Sequence, residues 1–384
     1  MKIVVAPDSF KESMTARRAA AVMRAAIEAA AKEAGAEADV VELPVGDGGE
    51  GTLEVLTAAL NGRLIEAGAT GPLGEPVKAA YGLSGDGATA VVEMAQASGL
   101  QLVPPEARDP LRTTTYGTGE LIRQALGHAS VKRLIVTIGG SATNDCGAGM
   151  LQALGAAVLD AAGQPIGYGG GALAHAARVD LAGLDRRLRE VSVSVACDVT
   201  NPLVGPRGAS RVFGPQKGAT PEMADALDAA LTHFADVLEA AGGQRLHDVP
   251  GAGAAGGIGA ALLLCGGKLV PGIELALDAI GFDEALAGAD YVFTGEGRID
   301  GQTPGGKAIA GIARRARAAG VPVVAFAGSL QPGYEPLYAE GLLAAFSITP
   351  GPVALEEALR DGEANLYRAA ANAVRLLVGA GGRG

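Results

Sequence analysis

Cations, carboxylates and hydroxyls recur in this chain at one kind of place, directly after a short apolar run. Residues 1–6 lead into Asp8, Ser9 and Lys11, and residues 39–44 lead into Asp47 and Glu50. Residues 133–138 lead into Gly139-Gly140-Ser141-Ala142-Thr143-Asn144-Asp145. Residues 191–196 precede Asp198 and Asn201, and residues 291–294 precede Glu296 and Arg298. Lys217, Lys307 and Asp300 extend the set. Phosphoryl transfer asks for groups of this kind. Cations offset charge on the transferred group, carboxylates hold a metal, and a base or acceptor addresses the attacking hydroxyl. Spacing does not decide which carboxylate does which of these jobs.

Any one of these loops also reads as ordinary turn and cap chemistry, because Asp, Asn, Ser and Gly favour turns. Asp47 and Glu50, for instance, are suited to capping a helix that starts near Thr52. The five loops together carry a stronger signal, since turns do not require Lys11, Glu296 and Arg298 to converge. In an open α/β sheet, ligands bind beyond the carboxyl ends of the strands. The Gly139–Asp145 loop offers backbone N–H groups, hydroxyls and an amide just before an apolar helical segment, a combination that can hold phosphate oxygens.

Two motif matches are discounted. Gly251-Ala252-Gly253-Ala254-Ala255-Gly256 fits the GxGxxG spacing. However, residues 246–250 make a poor strand, and no acidic ribose partner follows about 20 residues on. A tight-packing or anion-contacting turn is the expected role. The segment from Gly301 to Ala308 is nearly a Walker A loop, but Ala308 lacks the hydroxyl that would ligate Mg²⁺. Lys307 is kept as a phosphate contact.

The elements that must position these groups alternate between short apolar runs and amphipathic helices. One helix is expected from about Thr15 to Ala34, with Ala19, Val22, Met23, Ala26, Ile27 and Ala30 as its apolar stripe and Gly35 as its cap. Another should open at Thr118 as N-cap. Strands are expected at 1–6, 39–44, 133–138, 191–196, 291–294, 321–327 and 342–348. Residues 63–94 carry turn signals between extended runs and read as hairpins. The alternation predicts an α/β protein: a Rossmann-like, doubly wound, mostly parallel sheet domain with a second, inserted α/β domain. The boundaries expected are 1–62, 110–152 and 268–384 for the first, and 63–109 with 153–267 for the second. Residues 379–384 read as a disordered tail.

Composition narrows the function. The 384 residues carry 31 basic and 42 acidic side chains, a net charge of −11, which disfavours nucleic-acid or membrane-surface partners. No tryptophan is present to build a stacking platform. Apolar stretches such as 260–265 are far shorter than the roughly 20 residues of a membrane helix, and the N-terminus reads as a buried strand, so a cytoplasmic protein is expected. Cys146, Cys197 and Cys265 lack metal-ligand spacing and read as packed free thiols.

Several of these segments together resemble the bacterial glycerate kinase family of the glycerate 2-kinase type. They include Ala6-Pro7-Asp8-Ser9-Phe10-Lys11, Asp47-Gly48-Gly49-Glu50-Gly51-Thr52, Thr115-Tyr116-Gly117-Thr118-Gly119-Glu120 and the Gly139–Asp145 loop. Further matches are Asp198-Val199-Thr200-Asn201-Pro202, Gly214-Pro215-Gln216-Lys217-Gly218 and Thr294-Gly295-Glu296-Gly297-Arg298. The resemblance runs over nearly the whole chain. It implies phosphorylation of D-glycerate by ATP with Mg²⁺, usually to 2-phosphoglycerate. The related readings are 3-phosphoglycerate as product, a related sugar acid as acceptor, or a non-catalytic nucleotide- and glycerate-binding regulator. A dinucleotide-dependent oxidoreductase comes last. Departures are Glu12 where glycine commonly follows the lysine, Gly46 for alanine, and Cys146 at a position usually small.

From strand-end position and residue type, Asp198 is preferred as base, with Asp8 second. Lys11 and Ser9 are assigned to the glycerate carboxylate or the transferred phosphoryl group. Asp47, Asn201, Lys217 and Arg298 are further substrate contacts. Gly139, Gly140, Ser141, Thr143, Asn144, Asp145 and Lys307 are assigned to nucleotide phosphates, and Glu296 to Mg²⁺. A homodimer is one assembly open to the chain, and the sequence does not give the oligomeric state.

Overall fold

The first helix shows how local signals and burial agree. Ala16–Glu33 starts where the Thr15 hydroxyl accepts from the Arg18 N–H at 3.2 Å. It buries the expected stripe, Ala19, Val22, Met23, Ala26, Ile27 and Ala30, and Gly35 follows at φ +69°. The computed structural model describes residues 1–45, 52–305 and 308–381. Asp47, Glu50 and Lys307 lie outside the described residues.

The strands are β1 (Lys2–Val5), β2 (Asp39–Glu42), β3 (Arg63–Thr70), β4 (Pro76–Leu83), β5 (Thr89–Glu93), β6 (Arg133–Thr137) and β7 (Ala157–Leu159). They continue with β8 (Arg178–Asp180), β9 (Ser192–Ala196), β10 (Lys268–Val270), β11 (Tyr291–Ile299), β12 (Val323–Leu330) and β13 (Leu342–Ser347). The chain divides into two compact units, residues 1–47 with 273–384, and residues 48–272.

The first unit holds a five-stranded sheet, β13-β12-β11-β1-β2, parallel throughout. Ile3, Val5, Phe293, Val324 and Phe326 on one face share a core with the helices Ala16–Glu33 and Gly362–Gly381. Val4, Val292, Val323 and Ala325 on the alternate positions are equally buried, so both faces are covered, as a doubly wound sheet requires. Within this unit the strand order is that of flavodoxin-like sheets, with β1 and β11 flanking the point where the order reverses.

The second unit holds a mixed six-stranded sheet, β10-β9-β6-β5-β4-β3, and the small β7-β8 pair. β3, β4 and β5 form the antiparallel hairpins expected of residues 63–94. β5, β6, β9 and β10 are parallel, and their core is built only from residues of this unit.

Four expectations change. Residues 52–62, 110–152 and 268–272, expected in the first domain, belong to the second unit; β6 pairs with β5 and β9, β10 pairs with β9, and no strand of the first sheet borders them. The pattern of short strand plus helix is the same in both units, so sequence alone could not say which sheet β6 joins. The second helix spans Tyr116–Ala125 with Thr115 at its N-cap; Thr118 lies inside it, its hydroxyl 2.8 Å from that of Ser98. β11 continues to Ile299 rather than stopping at Thr294, since β12 pairs with it through Leu330. Residues 379–381 continue the helix Gly362–Gly381. Among the described residues, no helix is long and apolar enough to cross a membrane.

Candidate active site

In the first unit, the loop after β1 crosses the end of β11. The Asp8 N–H donates to the Gly295 carbonyl at 2.9 Å, and the Thr294 hydroxyl donates to the Ala6 carbonyl at 2.8 Å. Asp8 is buried, with one carboxylate oxygen accepting from the Ser9 N–H. Lys11 is exposed on the turn Phe10–Met14. Side chains alternate along β11, so Glu296 and Arg298 share one face. A Cβ at Gly297, on the other face, would meet the Lys11 N at 3.3 Å. The turn carrying Lys11 therefore lies over the Gly295–Gly297 face, while Glu296 and Arg298 are carried on the opposite one. The convergence expected of Lys11 with Glu296 and Arg298 is not a shared face. Glu296, 8% exposed, accepts from the Thr303 hydroxyl at 3.3 Å. Arg298 pairs with Asp300 at 2.9 Å and donates to Gln331 at 3.0 Å.

In the second unit, β6 and β9 lie side by side, and the loops at their carboxyl ends open a cavity of about 190 Å³. Gly139, Gly140, Ser141 and Asp198 line it, so the expected phosphate loop and the preferred base share one wall system. Asp198 also accepts from the Gly272 N–H at 2.8 Å. Among the remaining lining residues, sequence reasoning gave no site role to Thr137, Phe213 or Gln216. Thr137 ends the apolar run of β6, and Phe213 and Gln216 shortly precede Lys217.

That lysine and the rest of the loop form a buried scaffold. Lys217 is 1% exposed and donates to the Thr143 carbonyl at 2.6 Å. Asp145, also 1% exposed, accepts from the Thr115 N–H (2.9 Å) and hydroxyl (2.8 Å) and from the N–H groups of Gly147 (3.1 Å) and Gly149 (3.3 Å). Burial pushes the Asp145 carboxyl up, and these four donors pull it back toward the charged form. Burial pushes the Lys217 amine down to about 7, with the Asp145 charge acting in the opposite direction. Asn144 donates to the Ser210 hydroxyl at 2.8 Å. Thr143, Asn144, Asp145 and Lys217 were expected to touch ligand, yet in this structure they hold the loop from beneath. Only Gly139 and Gly140 are exposed.

Asn201 serves the neighbouring turn. Its side chain donates to the Arg207 carbonyl at 2.8 Å, and its own carbonyl accepts from Gly251 and Gly253, both at 3.1 Å. The GxGxxG match follows no strand. A Cβ at Gly253 would stand 2.1 Å from the Pro202 carbonyl oxygen, and one at Gly256 (φ +70°) 2.0 Å from that of Thr143. These glycines answer to close packing, which removes the dinucleotide reading. The three thiols are free; burial pushes those of Cys146 and Cys197 up and that of Cys265 up to about 12, so none is poised as a nucleophile.

A doubly wound parallel sheet with acids and cations at its switch point, and a second sheet with a glycine–hydroxyl loop beside an aspartate, define a two-unit α/β phosphotransferase. Comparison with known proteins gives the family. The sequence model of the glycerate kinase family matches residues 3–378. A Bacillus subtilis (strain 168) protein named glycerate kinase is 54% identical over 371 residues, 96% of each chain. An Escherichia coli (strain K12) protein named glycerate 2-kinase is 50% identical over 381 residues, 99% of each chain. A Salmonella typhimurium LT2 protein, whose crystal structure carries the provisional name glycerate kinase 2, matches with a TM-score of 0.86 at 50% identity, covering 98% of both chains. The chain belongs to the glycerate kinase family, and as a phosphotransferase of that family it draws on a phosphate donor.

Proposed function

We propose that this enzyme transfers the γ-phosphoryl group of ATP to the 2-hydroxyl of D-glycerate, with Mg²⁺. The observation that carries the reading is the 50% identity, over 99% of both chains, to the relative named glycerate 2-kinase. Gly139, Gly140 and Ser141 hold nucleotide phosphates through backbone N–H groups and a hydroxyl. Asp198 orients the acceptor hydroxyl and takes its proton, and Asp8 is the second choice for that work. Ser9 and Lys11 bind the glycerate carboxylate or the transferred group. Mg²⁺ needs only one or two protein carboxylates beside substrate phosphates and water. Glu296, buried and oriented by Thr303, fits that requirement, and the ion would neutralise charge on the phosphates. The test incubates protein with ATP, Mg²⁺ and D-glycerate and reads the product by phosphorus NMR. A 2-phosphoglycerate signal is expected. A 3-phosphoglycerate signal would overturn the regiochemistry, and no product from folded protein would overturn the function.

A further inference from the structure

Two buried polar bonds tie together opposite walls of the cavity at the ends of β6 and β9. One wall is the turn Gly139–Ser141. The other is the helix Ala209–Phe213 with the turn Pro215–Lys217, which brings in Phe213 and Gln216. Ser210 and Lys217 bracket that second wall, and both meet residues that directly follow the first. The Asn144 amide donates to the Ser210 hydroxyl at 2.8 Å, with both residues fully buried. The Lys217 ammonium donates to the Thr143 carbonyl at 2.6 Å. One further segment backs both walls. A Cβ at Gly218 (φ +94°) would meet the Arg108 carbonyl at 2.3 Å, and the Thr113 hydroxyl donates to the Ala142 carbonyl at 2.9 Å.

The two ties differ in charge. The Asn144–Ser210 bond is neutral, and a neutral donor would also hold the Thr143 carbonyl. Lys217 brings an ammonium instead, and among the described residues it has that one acceptor and no carboxylate within ion-pair distance. Asp145, the charge that acts on it, already accepts four hydrogen bonds. Of the other charged groups on the elements around it, Arg108 backs Gly218, and Arg211 pairs with Asp225 and Asp228. A buried ammonium in such a setting is costly. The cost falls once an anion binds to the turn above it, whose Gly139 and Gly140 are exposed toward the cavity. We infer that Lys217 is a positioning residue for the donor's phosphates: it fixes the phosphate turn through the Thr143 carbonyl, sets a positive charge beneath it and touches neither substrate. This rests on the proposed assignment of Gly139–Ser141 to nucleotide phosphates. One consequence is a proton linkage. Burial holds the free amine down to about 7, and a bound anion raises it again, so phosphate binding at pH 8 should draw a proton onto Lys217.

The test titrates ADP into wild type, Lys217→Met and Ser210→Ala by calorimetry at about pH 8, above the phosphate pKa of about 6, in buffers of different ionisation enthalpy. It also measures KM for ATP and for D-glycerate. Wild type should take up protons on binding ADP, and its affinity should fall as pH rises further. Lys217→Met should take up none and bind ADP about tenfold more weakly, the equivalent of about one pKa unit of coupling. Its KM for ATP should rise to match, while KM for D-glycerate stays in place. Ser210→Ala breaks a tie without removing a charge, so it should keep the proton uptake and lose less affinity. The inference fails if wild type does not bind ADP, or binds it without proton uptake. It fails equally if Lys217→Met binds ADP as wild type does, or if Ser210→Ala loses as much. A rise in KM for D-glycerate alone would assign the lysine to the acceptor and overturn it. The wild-type arm needs no variant to fold, and the ADP titration contains no turnover, so it decides Lys217 even if the proposed acceptor is wrong.

Discussion

Glu12 holds a backbone angle of φ +64° in the turn after Lys11. For a residue with a Cβ, the left-handed region costs about 1–2 kcal/mol, a strain that glycine would not carry. Glu12→Gly should therefore stabilise the protein by roughly 0.5–1 kcal/mol, the strain relieved less the extra freedom of glycine in the unfolded chain. Denaturant unfolding checks this, and a loss of stability would sink the argument. Lys217 makes a second residue-scale case. Its folded-state pKa is depressed to about 7 from the 10.5 of a free lysine. Between those values the unfolded chain binds the proton more tightly, so stability should rise with pH from about 7 to about 10. Below about 7 the burial penalty is fully present. Lys217→Met should flatten this slope relative to wild type, and equal slopes in both proteins would show that the amine is not the group responsible.

At the scale of elements, chain crowding decides more than propensity. The segment Ala254–Leu264 is interrupted near its start by a turn with left-handed angles at Ala255, Gly256 and Gly257. The Gly256 carbonyl accepts from the Cys146 N–H at 2.9 Å, tying this turn to the end of the Gly139–Asp145 loop. Gly35 shares the left-handed angle but has open space around it. Gly35→Ala should thus cost about 1–2 kcal/mol, the backbone strain alone. Gly256→Ala adds a clash with the Thr143 carbonyl and should cost more, with lower turnover because the loop beneath the cavity shifts. Thermal unfolding of the two variants compares them. A smaller penalty at Gly256 would mean that packing there is loose. Thr115 works in the same network, since its hydroxyl both donates to Asp145 and accepts from the Met150 N–H at 2.9 Å.

On the scale of the whole molecule, each unit has its own core, and the chain passes between them only near residues 47 and 272. The contiguous segment 48–272 should fold by itself, giving dispersed NMR signals and one cooperative transition, whereas residues 273–384 alone should not, lacking β1, β2 and the helix Ala16–Glu33. A molten 48–272 fragment would show that its core is incomplete without the rest. Local patterning determined much of this protein. The apolar stripe of Ala16–Glu33, the hairpins β3 to β5, the alternation that makes an α/β sheet and the placing of Asp8 and Asp198 just past strand ends are all written within a few residues of chain. Tertiary structure alone decided that β6 joins β5 and β9, that β11 extends along β12 and that the Lys11 turn lies over the face away from Glu296. It also decided that Lys217 and Asp145 are buried beneath their loop while Thr137, Phe213 and Gln216 line the cavity. Those choices depend on which distant strands pair and what each side chain meets when they do, and no period or local spacing records that.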